Sequence, residues 1–358
     1  MVRSSHYFTY VFKLKKIKIS KESKKKLNYI PSAPLVNLDK RLNSRLPAQI
    51  LTWSFQVAFL TYGYSFAYGK NTEYVVNWTM TQCVITLKLI QISTDISDGL
   101  KMARDGKKNS EVDVKKSSSS SSSPPPDRLE EIINQESFPN LLEFFSYSTY
   151  YNTVLVGPQM TLSHYRNYVD AVHIKKAGFI NFRSETRKTG TKKFMLGIFM
   201  MAFFALFAGK YLDDNIWQSE NSVFFTKYNY YQKVLFITVY GNLKMFRYVS
   251  TWSLVEGSLI LAGMGTAYSK LNRKDENKTL HHNHCSNASF SGMVKSTLMS
   301  DYVEVFNINT NKWCFTYLFK RLAFLGNKNL SQILTLMFLA VWHGYFSGYF
   351  TCFIGLGE

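Results

Sequence analysis

The chain has 358 residues, 43 Lys and Arg against 24 Asp and Glu, and a formal net charge of +19. Its mean hydropathy of -0.14 hides a sharp segregation, because the cations gather at residues 13–26, 101–116 and 175–193 with apolar, aromatic runs between them. That layout belongs to a polytopic membrane protein and not to a nucleic-acid binder, for which no recognisable module is present. The 28 Phe and 23 Tyr suit lipid-facing and interfacial positions, and the four cysteines, Cys83, Cys285, Cys314 and Cys352, show no paired spacing that would define a disulfide framework.

In chain order, residues 1–48 form a Lys-rich lead without a cleavable-signal pattern, expected to be cytoplasmic or poorly ordered. Residues 49–97 hold two apolar runs, 49–68 and 73–96, joined by a short Gly-Lys-Asn turn, which predicts a transmembrane helical hairpin. Residues 98–137 are a flexible Lys/Ser/Pro-rich insert with a serine tract at 117–123 followed by Pro124, Pro125 and Pro126.

Residues 138–269 supply further membrane segments. The stretch 138–156 contains Glu143 and several hydroxyls, and a full crossing there would put the basic 175–193 loop opposite the basic 101–116 loop. The positive-inside rule therefore favours a re-entrant or surface segment. Residues 194–212 read as a span running from inside to outside, with Asp213, Asp214 and Glu220 following it. Two more spans are drawn at 223–241 and 248–267, but Lys227, Lys233, Lys244 and Arg247 interrupt the first and leave the helix count open.

Residues 270–329 are a polar loop whose side of the membrane depends on that count. It holds His281, His282, His284 and Cys285. Zinc is bound by tetrahedral ligand sets drawn as a rule from two separated pairs; with no second pair nearby, a solvated loop is expected and no metal. The sequons at Asn77, Asn277, Asn287 and Asn329 matter only where the loops face the lumen.

The run 330–354 is long enough to cross a bilayer as one helix, carries no Lys, Arg, Asp or Glu, and places His343 near its centre. An imidazole at that depth is either a neutral histidine bonded to a neighbouring helix or a working group facing a chamber. Just before this run lies Phe306-Asn307-Ile308-Asn309-Thr310-Asn311-Lys312-Trp313. If extended, it sets Asn307, Asn309 and Asn311 on one face, where amides can hold a polar substrate without charge; the other reading is a polar turn with Asn in capping roles.

The stretches FNINTNKW, YLFKRLAFLGNKNLSQ and VWHGYFSGYF, with WTMTQCVITLKL at 78–89, LVGPQMTLSHY at 155–165 and LVEG at 254–257, make the chain resemble the membrane-bound O-acyltransferase family. Within it the likeness is to the branch that reacylates lysophospholipids. The resemblance implies an all-α, polytopic helical bundle around a central catalytic chamber, in the endoplasmic reticulum membrane. It implies Asn307 and His343 as the catalytic pair, with Asn309, Asn311, Trp342, Lys320 and Arg321 as candidate substrate contacts. It also implies acyl-CoA as cosubstrate with no cofactor, and transfer of an unsaturated acyl group to the sn-2 hydroxyl of lysophosphatidylcholine and related lysophospholipids. Family members carry helices before and after the matched stretch, so the chain reads as truncated at both ends. A non-catalytic shortened isoform and a membrane transporter are the alternative readings; no internal repeat or pair of matched broken helices supports the transporter.

Overall fold

The computed structural model describes residues 46–68, 78–111, 132–133, 137–172, 174, 179–208, 222–268 and 280–355. The basic lead through residue 45, the serine and proline tract, the acidic residues after 212, and Asn77 and Asn277 lie outside these. Apart from one two-residue antiparallel pair, β1 (Ala267–Tyr268) with β2 (Leu280–His281), the regular elements among the described residues are helices.

Helices α1 (Leu46–Tyr68) and α2 (Trp78–Glu111) form an antiparallel hairpin tied by the Gln82 amide donating to Gln56 Oε1 at 3.1 Å. With 34 residues, α2 is about 50 Å long. It continues far past Ile96, because charge ends an apolar run without ending a helix, and Lys, Arg and Glu are good helix formers. Its middle is surrounded: Leu87, Lys88 and Ile90 are fully buried. One side packs against Leu60, Trp313, Leu339 and Trp342, while further along Ile92 packs against Tyr147, Leu162 and Leu259.

The stretch 138–156 folds as two short helices, α3 (Leu141–Ser148) and α4 (Tyr151–Val154), followed by α5 (Leu162–Val169). At 8 and 4 residues, neither α3 nor α4 is long enough to cross a bilayer. Asn140 and Thr161 cap α3 and α5. The end of α3 is held by Lys88, whose ammonium donates to Tyr147 O at 3.1 Å, to Ser148 O at 3.4 Å and to Thr153 Oγ1 at 2.9 Å. Glu143 and Arg166 join α3 to α5 through a two-pronged ion pair at 2.6 and 3.0 Å.

Helix α6 (Phe179–Phe203) passes into a π-helical turn, Phe204–Ala208. Residues Asn181–Leu206 are the one stretch among the described residues that is long and apolar enough to cross a membrane by length and composition. After a short α7 (Val223–Thr226), residues 230–262 form a single helix, α8 (Tyr230–Ala262), where the sequence suggested two spans. Asn229 and Gln232 close a capping box at its start, and Gly263, with φ 86°, ends it. Lys227 caps α7, but Lys233, Lys244 and Arg247 lie within α8 without breaking it, and Lys244 sits over the Tyr240 ring at 5.2 Å.

Helices α6 and α8 run antiparallel in near contact. A Cβ on Gly190 would come within 2.8 Å of Leu261, one on Gly197 within 2.7 Å of Leu254, and one on Gly257 within 2.5 Å of Phe194. Small residues spaced along both helices let the backbones approach, the way helices associate where no hydrophobic effect drives them together. Lys193 reaches across to the buried Glu256 at 2.9 Å.

Beyond β2 come α9 (Phe290–Lys295), α10 (Met299–Val305), α11 (Ile308–Tyr317), a 3-10 stretch at Phe319–Leu325, α12 (Lys328–His343) and α13 (Ser347–Gly355). The run 330–354 is therefore two helices. Gly344, at φ 124° in the region that favours glycine, breaks it immediately after His343.

Candidate active site

Helix α12 runs back along α2. The Trp313 indole, stacked on Phe338 at 6.0 Å, donates to Leu87 O, and one turn along α12 the Trp342 indole donates to Cys83 O at 3.0 Å. Trp342 is buried, and its indole holds two helices together. At this point α12 ends. The Trp342 carbonyl, left without a helical donor by the break, accepts from the Tyr64 hydroxyl and from Cys83 Sγ at 3.5 Å.

His343 is the last residue of α12. Its half-buried ring sits among aromatic neighbours, 4.6 Å from Trp342, 5.2 Å from Tyr349 and 5.4 Å from Phe353, the last two stacked on it from α13. Among the described residues its nitrogens have no hydrogen-bond partner. The imidazole is held by aromatic packing.

Asn307 begins α11 with left-handed backbone, φ 52° and ψ 42°, a conformation that Asn tolerates better than other residues carrying a Cβ. The strand-like face of three amides is not formed, because α11 starts at Ile308 and the asparagines separate. Asn309 uses its amide on Ser286 O at 2.7 Å and takes its backbone N–H to Asn287 Oδ1 at 3.0 Å. Asn311 donates to Val303 O at 2.7 Å and Phe306 O at 2.9 Å. Through their Nδ2 groups these two side chains tie the preceding loop to α11, the capping and turn role. Asn307 Oδ1 accepts from Asn287 at 3.3 Å, which leaves its Nδ2 without a partner among the described residues.

Asn307 and His343 lie on the same side of the Trp313, Phe338 and Leu87 layer. Helix α11 runs parallel to α2, since Trp313 meets Leu87 and Tyr317 meets Asp95, and α12 runs antiparallel to it. At 1.5 Å per residue, Asn307 is about 9 Å along α11 from that layer, and His343 about 7.5 Å along α12. Lys320 and Arg321 lie at the other end of α12, which is anchored near them by Ser331 Oγ donating to Leu322 O. Arg321 is occupied by Asp98 at 2.6 and 3.2 Å, and Lys320 lies over the Phe315 ring at 4.7 Å. The structure thus separates these cations from His343 by about 22 Å, most of the length of α12.

The histidine-rich loop divides, with His284 and Cys285 both meeting His164, the latter at 3.9 Å, and His282 turned to another partner. His282 bonds Thr266 at 3.0 Å, and His284 stacks on His164 at 4.1 Å. Cys285 is buried with Sγ 3.8 Å from Met264 O. Among the described residues no group of three or more His, Cys, Asp or Glu is placed to hold a metal ion. The sequon residue Asn287 is buried and bonded to Asn307 and Asn309. Sequence reasoning missed Asn287, Tyr64, Cys83 and Lys88; the buried lysine alone had a signal, a cation inside an otherwise apolar run.

The sequence matches the membrane-bound O-acyltransferase family over residues 40–356, and the chain belongs to that family. Among curated proteins it is similar to lysophospholipid acyltransferase 5 of Mus musculus, 32% identical over 306 residues that cover 86% of this chain and 56% of the relative. The Homo sapiens protein of the same name is 32% identical over 308 residues, again 86% and 56%. The Drosophila melanogaster protein is 29% identical over 304 residues, 85% and 54%. The chain spans about half the length of the curated relatives it matches.

Proposed function

We propose that the chain is a multi-pass enzyme of the endoplasmic reticulum membrane that moves an unsaturated acyl group from acyl-CoA to the sn-2 hydroxyl of a lysophospholipid, lysophosphatidylcholine foremost. The observation that carries the reading is the His343 imidazole, held by rings and unbonded at the end of α12. Family membership and the printed names of the relatives, lysophospholipid acyltransferase 5, support the reaction class. Large apolar side chains exposed along three helices, among them Phe55, Phe199, Leu235 and Ile237, support several lipid-facing surfaces.

In this reading neutral His343 is the general base. It takes the proton of the glycerol hydroxyl while that oxygen bonds to the thioester carbonyl carbon. The carbon–sulfur bond then breaks, the acyl ester forms, and the imidazolium returns the proton to the departing CoA thiolate. Asn307 Nδ2 is the group left free to donate to the developing oxyanion. No metal and no acyl-enzyme enters the scheme, and acyl-CoA is a cosubstrate.

The test is transfer from labelled oleoyl-CoA or arachidonoyl-CoA to lysophosphatidylcholine in microsomes without endogenous activity. Label in a diacyl phospholipid that phospholipase A2 releases as fatty acid supports the reading. An inserted, stable chain that gives no product contradicts it, and lysolipid flux across vesicles without acylation would favour the transporter instead.

A further inference from the structure

The break after His343 is held from outside α12 by two residues of the α1–α2 hairpin. Tyr64 donates its hydroxyl to the Trp342 carbonyl and contacts Cys83 Sγ at 2.9 Å. Cys83 in turn reaches the same carbonyl at 3.5 Å, while its own carbonyl takes the Trp342 indole at 3.0 Å. The Tyr64 ring also packs on the bend itself. It lies 6.0 Å from the Tyr345 ring, and a Cβ on Gly344 would stand 3.7 Å from it. The peptide flanked by Trp342 and His343 is therefore clamped on its carbonyl side, one bond from the His343 backbone nitrogen. A carbonyl at a helix C-terminus has no intrahelical donor, so its direction, and with it the direction of the next side chain, is free unless another group fixes it.

We propose that Tyr64 and Cys83 are positioning residues for His343: by hydrogen-bonding the Trp342 carbonyl they set where α12 stops and hold the imidazole at the angle at which it meets the substrate hydroxyl. The proposal rests on the acyl-transfer reading for its kinetic consequence, and its geometric consequence stands apart from that reading. Misplacing a catalytic group by about 1 Å costs rate and leaves binding largely intact, which separates positioning from substrate contact.

The test uses the full chain in microsomes with Tyr64→Phe, Tyr64→Leu, Cys83→Ala and Cys83→Ser. Tyr64→Phe keeps the ring against Gly344 and Tyr345 and deletes only the hydroxyl, so it folds and inserts as the parent does. The expected result is a fall in kcat of tenfold or more in Tyr64→Phe with both KM values within twofold. Tyr64→Leu should fall no less, and Cys83→Ala, which deletes the thiol donor, should fall at least threefold with both KM values unchanged, a loss that Cys83→Ser, which keeps a donor, should partly restore. A second readout needs no turnover: diethylpyrocarbonate modification of His343, followed by mass spectrometry, should quicken at least threefold in Tyr64→Phe. Tyr64→Phe with parental kcat, or parental His343 modification, overturns the proposal. A parent without acyl transfer sinks the acyltransferase reading, while the modification rate still decides whether Tyr64 fixes His343.

Discussion

The indole of Trp342 and the main chain of Cys83 face each other across α12 and α2, the indole N–H donating to the Cys83 carbonyl at 3.0 Å and the Trp342 carbonyl accepting from the Cys83 thiol at 3.5 Å. This double engagement makes Trp342 a strut, although its place beside the histidine invites a substrate-binding role. Trp342→Phe should lower the thermal midpoint in detergent by the loss of one hydrogen bond, about 1 kcal/mol, and Trp342→Ala by about 3–5 kcal/mol. Both KM values should stay near the parent's in Trp342→Phe. A raised lysolipid KM with an unchanged midpoint would return Trp342 to the substrate.

The α6–α8 pair supplies a second prediction with a built-in control. A Cβ on Gly257 would lie 2.5 Å from the Phe194 backbone nitrogen, whereas one on Gly241 of the same helix meets nothing within 4 Å. Gly257→Val should destabilise the chain by about 1–3 kcal/mol or prevent assembly, because two backbones must separate. Gly241→Ala should be neutral or stabilise by roughly 0.5–1 kcal/mol through helix propensity. Size-exclusion profiles and thermal midpoints in detergent read both, and equal effects would deny the close approach.

Cys285 offers a test of the loop core. Burial pushes its thiol up to about 12, and the Glu256 carboxylate adds to the rise. The raised value means that the protonated form persists through pH 8 and the thiolate appears only well above it. Iodoacetamide at pH 8 should therefore modify Cys285 at least about 100-fold more slowly in the folded chain than after denaturation. Rapid native labelling, read by peptide mass spectrometry, would show that residues 280–288 do not pack against His164 and Met264 as described.

What could be read from sequence followed the apolar patterning, and what could not depended on single residues and on long-range partners. The hairpin of α1 and α2 and the apolar half of α6 are visible as runs, because burial in lipid or protein demands continuous apolar side chains. The joining of residues 230–241 and 248–262 into the single helix α8 is not visible, since Gly241, Asn242 and the charges that follow suggest a turn where one continuous helix runs. Gly344 breaks the last run, yet a lone glycine inside an apolar stretch is compatible with an unbroken helix; the clamp from Tyr64, 278 residues away in the hydrogen-bond pairing, is what fixes the bend. For the site, His343 and Asn307 stood out as residue types with a chemical use. Asn309, Asn311, Trp342 and Arg321 have the same polar or aromatic character and turn out to be engaged with Ser286, Val303, Cys83 and Asp98, partners that local sequence cannot name.

The most direct test of the account is acyl transfer to lysophosphatidylcholine by the parent chain beside His343→Ala at matched expression and insertion. General-base catalysis contributes about 10²-fold or more, so the account predicts that His343→Ala keeps less than about one hundredth of the parental rate while its thermal midpoint stays close to the parent's. A variant that retains more than about a tenth of the rate would contradict the role assigned to His343 and leave the imidazole as a packing residue between Tyr349 and Phe353.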